Sequence, residues 1–189
     1  MYLRALLFVV FVSTTQHAHA DNFSAEIYGG NVLEDSGFFF NRRDFPVDRG
    51  SAAGIAAHYQ LSDSWEVGVD LMKTSRNYTG FSSLLESKSL MLTTRYNIFF
   101  MDTLKGYVSA GLGAVEVKYD GPFVTSNVEF GGQLSIGIAY GVGPFDLFAE
   151  MKYQDLFNDY STHRLDVSLP PFPVEYNSKN ILFGLRYNF

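Results

Sequence analysis

The chain closes on 180-NILFGLRYNF-189, and this stretch decides how the rest is read. Ile181, Phe183, Leu185, Tyr187 and Phe189 fall on every second position. Asn180, Leu182, Gly184, Arg186 and Asn188 lie between them. A period of two is the mark of a β-strand with two unlike faces. Chain ends are usually polar and frayed, so an alternation that runs to the last residue points to a final strand held firmly in a sheet.

Working back from this strand, the same period recurs in seven further segments, near residues 23–30, 51–60, 65–72, 88–99, 106–118, 128–142 and 145–155. Each has one apolar face, such as Trp65, Val67, Val69 and Leu71, and one small or polar face. The segment at 106–118 is ambiguous. Val108, Ala110 and Leu112 share one phase, Tyr107, Val115 and Val117 the other, and a bulge near Gly113 would reconcile them. The first set is expected to point outward.

Connections alternate in length. Short ones are expected at 62–64, around 101–104 and at 143–144, and long ones at 31–50, 73–87 and 156–178. Asp120, Gly121 and Pro122 read as a tight turn. Eight antiparallel strands with short turns at one end and longer loops at the other predict an all-β, up-and-down, eight-stranded transmembrane barrel.

A soluble barrel such as a lipocalin also has eight strands, with its apolar face turned inward. Three features favour apolar-out. The polar face is rich in small residues (Gly54, Ala56, Gly68, Gly131, Ser135, Gly137, Gly184), as a narrow interior requires. It carries charges of both signs: Glu26, Glu66, Asp70, Glu129, Asp146 and Glu150 against Arg95, Lys152 and Arg186, with His58 a further candidate. Enclosed charges must pair or stay wet. Finally, aromatics gather at the short-turn ends of the apolar face: Phe23, Tyr59, Trp65, Tyr96, Tyr140, Phe145, Tyr187 and Phe189. A core has no reason to sort rings by height, whereas a membrane interface does.

The bulk numbers agree. Residues 1–20 read as a secretory signal peptide: Arg4, then an apolar run from Ala5 to Val12 too short to span a bilayer, then Ala18-His19-Ala20 as the cleavage site. Residues 21–189 form the barrel domain. Without Arg4 the chain carries 13 basic against 20 acidic residues, a net charge of −7, and no basic patch suggests nucleic acid. Cysteine is absent, while Phe numbers 18 and Tyr 12.

These residues resemble the small outer-membrane barrels of Gram-negative bacteria, the OmpA-like and OmpX/Ail-like porin-family barrels. The last strand carries most of the resemblance. Ile181, Phe183, Leu185, Tyr187 and Phe189 look like the C-terminal signature read by the barrel assembly machinery. The stretches 107-YVSAGLGAVEV-117 and 147-LFAEMKY-153 are similar to fifth and seventh strands of such barrels. The resemblance implies a cell-envelope protein in the outer membrane, with outer-membrane lipid or lipopolysaccharide and the assembly machinery as partners. Unlike OmpA, the chain stops at the barrel, so peptidoglycan binding is not implied.

Function is sought in the loops. In the first, Phe38, Phe39 and Phe40 stand beside Arg42 and Arg43, an arrangement suited to an extracellular partner or to lipopolysaccharide phosphates, or to packing among loops. In the last, Pro170, Pro171 and Pro173 stiffen a segment that presents Phe172, Val174 and Tyr176. Asp159, Ser161, His163 and Asp166 invite a hydrolase reading that spacing alone does not support. The four histidines show no metal-ligand spacing, and no nucleotide motif occurs, so no cofactor is expected. Asn77-Tyr78-Thr79 matches a glycosylation acceptor without weight in a bacterial chain. A non-enzymatic barrel that displays loops for adhesion or envelope integrity is the leading expectation. A small pore and a lipid A-modifying enzyme follow.

Overall fold

A computed structural model describes residues 22–33, 39–40, 43–44, 49–77, 84–120, 125–157, 160–162, 172–174 and 176–189. Eight long strands form one closed antiparallel barrel: β1 (Phe23–Val32), β4 (Gly50–Gln60), β5 (Trp65–Asn77), β6 (Leu84–Met101), β7 (Leu104–Asp120), β8 (Thr125–Val142), β9 (Phe145–Leu156) and β12 (Asn177–Asn188). Each pairs with its neighbour in sequence, and β12 closes on β1 from Ser24↔Asn188 to Val32↔Asn180. Two small hairpins lie in the connections: β2 (Phe39–Phe40) with β3 (Arg43–Asp44), and β10 (Tyr160–Thr162) with β11 (Phe172–Val174).

Closure leaves no unpaired edge, the condition a sheet must meet in lipid. The closing strand is pinned to its end: Phe189 N–H donates to the Phe23 carbonyl at 2.9 Å, and Asn188 N–H to that of Pro144 at 2.8 Å. Among the described residues no helix is long and apolar enough to cross a membrane.

The outer face is apolar. Ile27 is 63% exposed, Leu92 70% and Leu134 62%, values at odds with a lipocalin-like inward core. At the short-turn end the aromatic residues pack ring against ring, three pairs across strands and one along the end of β12. Ring centroids of Phe23 and Tyr59 are 5.0 Å apart, of Trp65 and Tyr96 5.0 Å, of Phe145 and Tyr187 5.1 Å, and of Tyr187 and Phe189 4.8 Å. This is a girdle at one height.

Inside, large rings lie over glycines on the adjacent strand. Tyr28 is paired in register with Gly54, Tyr107 with Gly137, Phe148 with Gly184 and His58 with Gly68. A methyl group on Gly54 would collide with the Tyr28 ring and one on Gly137 with the Tyr107 ring. The glycines supply the room that fills a narrow barrel with rings.

Three expectations need correction. The strands reach further than the alternation suggested: β6, β7 and β8 have 18, 17 and 18 residues, against roughly 9–11 needed to cross a bilayer. The expected loop at 73–87 is therefore mostly strand, with only 78–83 between β5 and β6. Second, β7 has no bulge at Gly113. Its register runs unbroken there, Met91↔Gly113 on one side and Gly113↔Gly131 on the other. Val108 and Leu112 do face outward, while Tyr107, Val115 and Val117 are buried inside. The strand holds its phase while its polarity inverts, so Glu116 and Lys118 take the outer face. Third, Tyr176 is no loop contact. It is 4% exposed and packs with Leu85, Met91, Val115 and Val117 inside the long-loop end of the barrel. Its hydroxyl lies 2.5 Å from Ser87 Oγ, and Arg76 stacks over its ring.

Candidate functional site

The lower and middle interior is a continuous charge network built by the inward phase of seven strands. On β1, Glu26 accepts from Arg95 Nη1 of β6 at 2.6 Å and from Arg186 Nε of β12 at 2.7 Å. His58 Nδ1 of β4 is 3.6 Å from the same carboxylate oxygen. Glu66 of β5 lies 3.4 Å from Arg95 and 3.5 Å from Arg186, and accepts from Asn97 Nδ2 at 2.7 Å. Below them, Asp146 of β9 bridges Arg186 at 3.8 Å and Lys105 of β7 at 2.7 Å.

Above, Lys152 of β9 donates to Asp70 at 2.5 Å and lies 3.2 Å from Glu150, which approaches Arg95 at 3.9 Å. Asp70 also accepts from Gln133 Nε2 at 3.0 Å and from the Tyr28 hydroxyl. Rings cap the cations: Arg95 stands 4.4 Å over Tyr107 and Lys152 4.6 Å over Tyr28.

Burying a charge is costly unless it is paired and its remaining hydrogen-bonding capacity is met. Here each carboxylate faces at least one cation, and most cations face two or three carboxylates. Such a lattice holds its members in place, because moving one cation strands several acids. Arg186, Tyr107 and Gln154 are fully buried inside the barrel. At the short-turn mouth a polar recess of about 170 Å³ opens, lined by Glu66, Asn97, Lys105 and Asn188 among others.

Glu26, Glu66, Asp70, Arg95, Glu150, Lys152 and Arg186 thus come together, as do Asp146 and His58. Glu129 shares the inward phase but sits toward the long-loop end, opposite Val115 and two rungs beyond Gln133. Sequence reasoning missed Lys105, Tyr28, Asn97 and Gln133. Lys105 borders the turn at 102–103, and its inward placement depends on where β7 begins.

Of the loop candidates, Phe38 and Arg42 lie outside the described residues, as do Asp159, His163 and Asp166. Phe39, Phe40, Arg43, Ser161 and Phe172 belong to the small hairpins, and their side chains are likewise outside the description. The signal peptide and its cleavage after Ala20 fall outside it too. Ile181, Phe183, Leu185, Tyr187 and Phe189 share the outward phase of the last strand.

No curated protein matches the chain by sequence. Solved structures do match. Neisserial surface protein A shares 19% identity at a TM-score of 0.67, over 88% of this chain and 97% of that one. OprG of Pseudomonas aeruginosa shares 14% at 0.61, over 91% and 98%. Ail, the attachment invasion locus protein of Yersinia pestis, shares 14% at 0.54, over 89% and 99%. At these identities the likeness is one of fold. The model of the outer membrane protein β-barrel domain matches residues 5–189, and the chain belongs to that family of bacterial outer-membrane barrels.

Proposed function

We propose that this protein is a non-conducting, non-enzymatic barrel whose work is done by the loops and strand ends it raises outside the cell, in adhesion or in maintaining the envelope. The observation that supports this reading is the filled interior. A water-filled pore needs a continuous polar lumen, whereas the buried rings of Tyr107 and Phe148 fill this one and Arg95, Arg186 and Lys152 reach across it to acids on other strands. Eight-stranded barrels are just wide enough for side chains to fill. The extension of β6–β8 past the length a bilayer needs gives the loops a raised, strand-built base.

The reading is tested in two arms. In planar bilayers the folded protein is expected to show no large, stable conductance steps, and such steps would replace it with a pore. In cells, deleting residues 34–48 or 158–175 is expected to change surface binding or resistance to envelope stress while the barrel still inserts. Unchanged adhesion and resistance in a strain lacking the whole protein would overturn the reading. Altered lipid A mass spectra in that strain would point instead to an enzyme using the last loop.

A further inference from the structure

One rung of the barrel's outer surface changes character abruptly. It runs in register from Phe183 (β12) through Gly29 (β1), Ala53 (β4), Lys73 (β5) and Lys88 (β6) to Glu116 (β7). Gly29 and Ala53 are small where the neighbouring outward positions hold Ile27, Ile55 and Leu71. The result is an open groove of about 500 Å³ on the outside of the wall, bordered by Ile27, Ala53, Ile55, Leu71, Lys73 and Lys88. Its walls are almost wholly apolar, and its long-loop end is headed by two amines.

Lys73 and Lys88 are register partners across β5 and β6, a like-charge placement that is unfavourable unless acids or a bound anion offset it. Their side chains are 52% and 62% exposed. Glu86 takes 2.6 Å from Lys73, and Glu116 stands 3.9 Å from Lys88. Lys118, opposite Glu86, leaves three bases against two acids on this patch.

Height supplies the last constraint. Lys73 and Lys88 each lie eight residues along the strand from the girdle residues Trp65 and Tyr96. At about 3.3 Å per residue and a tilt of roughly 40°, that is about 20 Å along the membrane normal, near the outer edge of an apolar band about 25 Å tall. An apolar trough within the band, with paired cations at its upper rim, has the polarity of an acylated lipid with a phosphorylated headgroup.

We propose that the groove outside β1, β4 and β5 is a binding site for a phosphorylated, acylated lipid of the outer leaflet, one acyl chain lying over Ala53 between Ile27, Ile55 and Leu71 and a phosphate held between Lys73 and Lys88. The site depends on the outer-membrane placement and not on the loop-display reading above.

The test uses folded protein in detergent, titrated by native mass spectrometry with bisphosphorylated, hexa-acylated lipid A and with the same lipid stripped of phosphate. The doubly substituted K73Q/K88Q protein is expected to bind the phosphorylated lipid roughly thirtyfold more weakly than the unaltered protein. It should bind the stripped lipid equally well. Ala53→Phe, which fills the trough, is expected to weaken both lipids. Inorganic phosphate at millimolar concentration should not compete, since the acyl chain contributes to binding. A heat-dependent gel shift verifies that each variant is folded. Equal binding of both lipids by K73Q/K88Q and the unaltered protein would overturn the proposal. So would effective competition by inorganic phosphate, or a lipid-free dimer abolished by Ala53→Phe, which would assign the groove to a second copy of the chain.

Discussion

The wall of this barrel has two opposite constructions. Through the lipid-crossing section, Leu90, Leu92, Val108 and Leu112 face out, while Glu66, Asp70 and Arg95 face in. At the long-loop end of β5–β7 the order reverses. Lys73, Glu86, Lys88, Glu116 and Lys118 stand outside, and Leu85, Met91, Val115, Val117 and Tyr176 form an apolar cluster inside. The strands and their alternation are the same in both regions; only the solvent differs. Where hydrocarbon surrounds the wall, apolar side chains go outward. Where water and headgroups surround it, the ordinary inward core returns. The inversion therefore marks the outer limit of the membrane on this side. On the far side, β8 and β9 mark it with rings, Phe130 and Phe157 at 5.7 Å and Tyr153 beside them in sequence phase.

This contrast can be broken from within. Arg186→Ala removes a cation shared by Glu26, Glu66 and Asp146. Leaving buried charge short of a partner is expected to cost about 3–5 kcal/mol, read as a lower denaturant midpoint in unfolding from lipid vesicles. Next in size, Leu92→Arg places a charge in the middle of the lipid band and is expected to cost about 2–4 kcal/mol. Ser75→Arg, on the same outward phase of β5 but past the inversion, should cost under about 1 kcal/mol in the same assay. Equal costs at the two positions would remove the distinction between the regions.

The girdle gives a smaller effect. Trp65→Ala deletes the ring contact with Tyr96, a loss of about 0.5–1.5 kcal/mol beyond buried area, and should also weaken the anchoring of that strand end. Smallest is Glu86→Gln, about 0.2–1 kcal/mol at most for an exposed pair. Lys73 donates to Glu86 and holds its carboxyl below the usual carboxylate range. The contribution of this pair is therefore complete above the ordinary carboxylate pKa and fades as pH falls through the lowered value. Glu86→Gln should abolish that acid-limb dependence, and unfolding at graded pH detects it.

Most of the crossing section was legible in the sequence. A period of two needs no long-range information, and rings sorted toward one end of the strands disclose a membrane interface directly. The inversion on β7 was harder. Val115 and Val117 looked out of phase because an apolar residue was expected to face outward along the whole strand, and a bulge at Gly113 was the natural repair. The strand in fact kept its phase and left the lipid. The charged members of the interior network were legible by type and face. Tyr28, Asn97 and Gln133 were not, because which side chains meet across a barrel depends on register and stagger, and these are set by all eight strands together. Tyr176 was misplaced for a related reason: three prolines nearby suggested a loop, whereas β12 begins at Asn177 and draws Tyr176 into the mouth.

Arg186 ties these themes to the last residues of the chain. The interior acids Glu26, Glu66, Asp70, Asp146 and Glu150 are met by Arg95, Lys105, Lys152 and Arg186, and Arg186 arrives only with the closing strand. A chain interrupted before β12 would hold an open sheet edge and also an interior with unmatched negative charge beside Glu26. The final strand thus works as a checksum on synthesis: backbone pairing and charge balance are completed by the same dozen residues, and a truncated product fails on both counts.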